Sequence, residues 1–358
     1  MRGAAWQRSS WGNTPKCTLK GASASNVARV TIRVCYQMQT HSRPAQVARL
    51  VEVIKQGSPE SVVLISHDAN GPPLDIPRLE AMPGVHVLMA SCKYGDFSHL
   101  DRYFAAVDWL DEHGVEFDWL ENITGQDYPL RPIAEIEDIL ANSDVDGYLQ
   151  YAPVFPDQTP PEADQGAAPE YRLCRPFDAA MRYQFRHWRI GRPSSVKQRW
   201  LRPLMAIDWI QPWVRVSLAF STVGVRQRKT IFTDNLICYG GSFFCTLAAS
   251  CVRYARDFAR ENPDIVEFFR ATLAPDEVFL QTVLVNSGKF NLVPDRKRYI
   301  DYSRTRNNHP KILGVADVEA MLASGAHWAR KFDVSHDAEV LDVLDRHIGP
   351  EPRRRGVI

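Results

Sequence analysis

Between residues 28 and 153, short runs rich in β-branched residues alternate with longer stretches whose apolar positions recur every three or four residues. Residues 27–36 predict a strand, and 44–56 predict a helix with Pro44 near its start. Residues 61–66 and 85–90 predict buried strands, 100–113 an amphipathic helix, 117–120 a strand, 133–141 a helix and 147–151 a closing strand. Strands separated by helices of about ten residues mean crossover units and a mostly parallel sheet. In such sheets ligands sit just beyond the carboxyl ends of the strands. The polar residues at those ends are Asp68, Tyr94 and Asp127.

The pattern then changes. Residues 153–170 are rich in Pro, Asp, Glu and Gln and predict an irregular loop. A basic, aromatic stretch follows over 182–202, with Arg182, Arg186, Trp188, Arg189, Lys197 and Trp200. Arginine beside tryptophan suits phosphate contact and base stacking. The acidic loop upstream, an overall charge of +1 and the lack of a known binding motif weigh against nucleic acid. A solvated or membrane-surface helix is expected there instead. A turn at 240–244, a helix over 247–260, a helix opening at Pro275 and a short helix over 315–323 complete the reading.

At 358 residues the chain can form one large α/β domain or two smaller ones sharing a core. Its 45% hydrophobic and 24% charged residues are ordinary for a globular protein. Seven cysteines without CxxC or metal-ligand spacing argue for a reducing compartment and against a disulfide framework. No apolar run approaches the roughly 20 residues that cross a bilayer. The first 26 residues lack the apolar core of a secretory signal. The expectation is a cytoplasmic protein.

Several residues carry candidate chemistry, each beside a plainer role. Glu277 follows Pro275 and Asp276, where first-turn carboxylates complement the helix dipole. It is also a candidate general base. Asp68 ends a strand, where aspartate commonly forms turns, and Asp127 could cap a strand-to-helix turn. Asp144 and Asp146 superficially form an Asp-x-Asp metal clamp, but they precede their strand and read as a solvated turn. Lys311 and Lys331 are surface charges by default, and Tyr299 suits either the core or a sugar ring.

Two runs decide among these roles: 123–130 (Ile-Thr-Gly-Gln-Asp-Tyr-Pro-Leu) and 273–282 (Leu-Ala-Pro-Asp-Glu-Val-Phe-Leu-Gln-Thr). With His67-Asp68, 94–98 (Tyr-Gly-Asp-Phe-Ser), 298–302 (Arg-Tyr-Ile-Asp-Tyr) and 329–333 (Ala-Arg-Lys-Phe-Asp), the chain resembles the core-2/I-branching and peptide O-xylosyltransferase family of glycosyltransferases. The resemblance covers roughly 28–153 and 235–335. It implies a GT-A-like α/β fold with a Rossmann-like nucleotide-binding half and an acceptor and catalytic half. It further implies inverting transfer from a UDP-sugar to a saccharide or glycan hydroxyl without a metal or other cofactor. N-acetylglucosamine is the first expected sugar and xylose the second.

By the same resemblance Glu277 is the catalytic base, Asp68 and Tyr94 hold uridine, and Asp127 orders the donor site. Lys331, with Lys311, binds the diphosphate, and Tyr299 and Asp301 line the acceptor pocket. The implied division is a disordered extension over 1–27, a nucleotide-sugar-binding half over 28–153, a variable acceptor-side insert over 154–234, a catalytic half over 235–335 and a tail over 336–358. A non-catalytic glycan- or nucleotide-binding protein on the same fold is the alternative. Peripheral membrane contact is a further expectation.

Overall fold

The first strand, β1 (Val34–Thr40), is buried along its whole length, as a parallel strand covered on both faces must be. The structure, a computed structural model, describes residues 32–93, 95–155, 176–190, 212–217, 220–303 and 310–349. The expected extension over 1–27 lies outside these residues.

After β1 come α1 (Pro44–Gly57), β2 (Val62–Asp68), α2 (Ile76–Glu80), β3 (Val85–Ala90), α3 (Ser98–Glu112) and β4 (Trp119–Thr124). Next are β5 (Asp127–Pro129), α4 (Ile133–Ala141), β6 (Gly147–Leu149), β7 (Ala152–Pro153), α5 (Pro176–Tyr183), β8 (Phe185–Arg189), β9 (Val214–Ser217) and β10 (Thr222–Arg226). The last third holds β11 (Tyr239–Gly240), β12 (Cys245–Ala248), α6 (Ala249–Glu261), α7 (Pro263–Arg270), α8 (Phe279–Ser287), β13 (Leu292–Val293), β14 (Arg298–Ile300), α9 (Val318–Ala323), β15 (Trp328–Arg330) and α10 (Glu339–Ile348).

Seven strands form the main sheet in the order β3-β2-β1-β4-β12-β6-β13. Only β12 runs antiparallel to its neighbours. The mostly parallel sheet expected from the sequence is therefore present. Two of its strands, β12 and β13, come from beyond residue 235, so the two halves read from the sequence share one sheet. One apolar layer joins Cys35, Leu64, Leu120 and Leu247 to α3, α6 and α8. The other joins Tyr36, Met38, Val63 and Ile123 to α1, α4 and α10. The helix α10 brings Val340, Leu341 and Leu344 into that second layer.

Differences from the sequence reading have local causes. The first strand extends to Thr40 rather than stopping at 36, because Gln37 and Gln39 are buried although polar. Likewise β4 runs to Thr124 instead of ending at 120. Its buried Glu121 accepts from Thr246 Oγ1 at 2.6 Å and pairs with Arg298, while Asn122 Nδ2 donates to the Phe243 carbonyl at 2.8 Å. Those partners lie more than 120 residues away and leave no local signal.

The helix expected over 182–202 is a correction. Residues 185–189 form β8, the edge of an antiparallel sheet ordered β8-β10-β9. Phe185 is buried and Arg186 exposed, the alternation of a strand. Residues 191–202 lie outside the described residues. Among the described residues no helix is long and apolar enough to cross a membrane. Of the seven cysteines, Cys35, Cys92, Cys238, Cys245 and Cys251 are described, and all five are free.

Candidate active site

The segment bearing Glu277 begins with strain. Ala274 has φ 49° in the left-handed region, and Pro275–Glu277 then forms a 3₁₀ turn. The expected α-helix at Pro275 is thus corrected to this turn, because Val278 at φ −136° interrupts the helical backbone before α8.

Both ends of the turn are clamped. Ala274 N–H donates to the Gly95 carbonyl at 3.1 Å, and Gly241 N–H donates to the Glu277 carbonyl at 2.7 Å. A Cβ at Gly241 would stand 1.7 Å from the Gln150 carbonyl oxygen, so only glycine permits this approach. Gly95 lies in the loop after β3, and Gln150 directly follows β6. The turn therefore rests on the carboxyl edge of the main sheet, where ligands of such sheets bind.

Glu277 keeps 41% of its side chain exposed, and Arg182 Nη1 donates to its Oε2 at 2.6 Å. Its neighbour Asp276 has a buried Oδ1 without a hydrogen-bond partner. Burial pushes the Asp276 carboxyl up to about 6, with Glu277 adding to the rise and His99 opposing it. In the sequence Asp276 reads as a first-turn carboxylate and Arg182 as part of a basic stretch. Nothing in the sequence alone links Arg182 to Glu277.

On the nucleotide side, Asp68 closes β2, and its Oδ1 accepts from Asn70 N and Nδ2, each at 3.1 Å. Burial opposes its ionisation, but hydrogen bonds from Asn70 and the Cys92 backbone hold the carboxyl below the usual carboxylate range. Tyr94 lies outside the described residues. Asp127 is a correction: it caps no helix but sits in β5, fully buried. Its Oδ2 accepts from Thr124 N–H at 2.6 Å, and its Oδ1 lies 3.5 Å from Arg330 Nε. A side chain this enclosed supports the β4–β5 turn and Arg330 rather than touching a ligand itself.

A second sheet, β14-β15-β5, assembles the cations. Arg330 pairs in register with Asp127, and Phe332 N–H donates to the Gln126 carbonyl at 2.9 Å. This register sets Lys331 directly beside the β4–β5 turn. Lys331 has no ion-pair partner among the described residues. Burial, then the charges of Arg330 and Arg43, hold its ammonium below the usual lysine range. Such a cationic surrounding favours an anion. Lys311 differs, because its Nζ is paired with Asp317 and its backbone N–H donates to the Asp301 carbonyl at 2.8 Å. Arg330 and Arg298 both lie over the Phe244 ring, at 4.0 and 4.7 Å from its centroid. The sequence reading passed over both arginines, though Arg330 adjoins Lys331 in the same run.

Tyr299 packs against the second apolar layer, the plainer of its two roles. Asp301 Oδ1 accepts from Ser303 N–H at 2.7 Å. Asp144 and Asp146 stand apart, ahead of β6 at the amino edge of the sheet, where Asp146 Oδ2 accepts from Asn291 N–H at 2.8 Å.

No protein family and no curated protein matches this chain. Among solved structures, it is similar to a nucleoside-diphosphate-sugar pyrophosphorylase from Vibrio cholerae RC9. The identity is 10% over 72% of this chain and 89% of that one, with a TM-score of 0.31. At this level the likeness carries no argument about fold or function.

Proposed function

We propose that the protein is an inverting glycosyltransferase that moves a sugar from a UDP-sugar to a saccharide or glycan hydroxyl on a GT-A-like fold. The reading rests on the sequence resemblance to the core-2/I-branching and peptide O-xylosyltransferase family. One observation carries it. The strained turn of Glu277 is clamped to the loop that follows β3 and to the residue that follows β6, on the sheet edge that Asp68 also ends. An exposed carboxylate on the edge of a nucleotide-type sheet is where an acceptor hydroxyl and a donor sugar would meet. The order of the seven-stranded sheet, with one reversed strand, supports the same reading.

In this mechanism Glu277 Oε accepts the acceptor proton as the hydroxyl oxygen attacks the anomeric carbon. The bond to UDP breaks on the opposite face. Lys331, backed by Arg330, stabilises the charge on the departing diphosphate. Asp68 accepts hydrogen bonds from the uracil, and by the resemblance Tyr94 is the aromatic that packs on the uridine. Lys311 enters only by leaving Asp317, so its part in phosphate binding is secondary. Tyr299 and Asp301 border the acceptor. No divalent ion is required, because the late cations take its place. N-acetylglucosamine is the first sugar expected and xylose the second.

Release of sugar from UDP-N-acetylglucosamine and UDP-xylose, with parallel calorimetric titration of UDP in EDTA and then manganese, tests this. The proposal expects UDP to bind equally in both solutions and one UDP-sugar to turn over. UDP binding without turnover would leave a nucleotide-binding protein, and binding only with manganese would overturn the metal-independent mechanism.

A further inference from the structure

Three side chains at the carboxyl edge form a relay that the proposed transfer does not use. Cys92 Sγ lies 3.3 Å from His99 Nε2, and His99 Nδ1 lies 3.0 Å from Gln39 Oε1. Gln39 Nε2 donates to the His99 carbonyl at 2.9 Å, which fixes the amide orientation. The oxygen of Gln39 must then face Nδ1, so Nδ1 carries a proton and donates it. That leaves Nε2 as the acceptor aimed at the thiol. A nucleophile, a base and a group that orients the base are the parts of an activated thiol.

We propose that Cys92 is a nucleophilic thiol, held with His99 as a thiolate–imidazolium pair, and that among the described cysteines it is the one that soft electrophiles modify. The proposal stands independently of the transferase reading. Cys92 is half-buried, whereas the other described cysteines are buried. Its surroundings favour the charged pair. Ser98 Oγ lies 3.5 Å from the sulfur at the start of α3, where the helix N-terminus favours an anion. Across the site, the buried, unpartnered Oδ1 of Asp276 favours a charged His99.

The other groups facing the pair are Arg102 on α3, His41 after β1, Asp68 at the end of β2, and Lys93 and Asp96 in the loop. Burial works against ionisation of Cys92, yet the hydrogen bond and charge of His99 carry its thiol below the usual range. Burial likewise opposes charge on His99, and contact with Cys92 and the field of Asp276 raise it. The opposed directions agree with proton transfer from Sγ to Nε2.

With iodoacetamide as probe, the sulfur lone pair attacks the methylene carbon. The S–C bond forms as the C–I bond breaks, iodide leaves, and the thiol proton remains on His99. The test follows carboxamidomethylation of full-length protein from pH 5 to 9 by peptide mass spectrometry, which separates Cys92 from the other six cysteines. The expected rate at Cys92 reaches half its maximum below the ~8.5 of an ordinary thiol. His99→Asn should move that midpoint up and slow labelling at pH 6.5 about fivefold or more, since the lost thiolate outweighs the gain in intrinsic nucleophilicity. Gln39→Leu should shift it the same way by less, and melting curves confirm that both variants fold. A wild-type midpoint at or above the ordinary thiol value would overturn the proposal, and so would a folded His99→Asn curve superimposed on it.

Discussion

Arg182 Nη1 donates to Glu277 Oε2 at 2.6 Å, joining residues 95 apart in the chain. The pair sits at a surface where Glu277 is 41% exposed and Arg182 17%, so its contribution to global stability is modest, about 1 kcal/mol or less. Its geometric consequence is larger, because it fixes which carboxylate oxygen stays open. Arg182 comes from the stretch between the two regions of family resemblance, so that stretch reaches the candidate base directly.

Removing this restraint should reveal whether the carboxylate must be held. Arg182→Ala is expected to lower transfer by up to about 100-fold through misplacement of Glu277. UDP affinity should stay unchanged, and Arg182→Lys should retain part of the rate. Steady-state kinetics with calorimetry measures this, and full activity in Arg182→Ala would assign the pair to packing alone.

Lys331→Ala should separate phosphate from nucleoside recognition. A charge-assisted hydrogen bond contributes roughly 1.5–3 kcal/mol, so UDP should bind about ten- to a hundredfold more weakly. Uridine affinity should hardly change. Equal loss for both ligands would mean that Lys331 acts through the fold of the β15 edge.

The architecture was legible where hydrophobic periodicity is local. The helix Ile133–Ala141 and the strand Val85–Ala90 appear at the boundaries that their patterns predict. The carboxyl-edge position of Asp68 follows from its place at the end of a predicted parallel strand. What stayed hidden depends on distant partners. Glu121 and Asn122 look unsuited to a core strand until Thr246, Arg298 and Phe243 arrive to satisfy them. The stretch at 185–189 reads equally as helix or strand, because Arg and Trp serve either, and its pairing with β10 decides the matter. Asp127 stood out in the sequence, yet its burial against Arg330 is a tertiary fact.

His327 predicts a pH effect whose sign is fixed. Its side chain is buried and its Nδ1 lacks a partner, and burial, then the charges of Lys297 and Arg131, carries its pKa from 6.5 to about 4. Between those values the unfolded chain binds a proton that the folded chain refuses. The contribution of neutral His327 is therefore present above pH 6.5 and lost as pH falls toward 4. Melting temperatures of wild type and His327→Gln at several pH values isolate it. The wild type should lose ground to the variant on acidification, and a pH-independent difference would contradict the assignment.

Glu277→Gln tests the central claim most directly, because it keeps size and one oxygen to accept from Arg182 while removing the base, and the Arg182→Ala variant isolates the part due to the lost ion pair. General-base catalysis contributes about 10²- to 10⁴-fold in rate. The account predicts that sugar transfer from the active UDP-sugar falls by that order while UDP affinity and melting temperature stay near wild type. Unchanged transfer in a folded Glu277→Gln protein would contradict it.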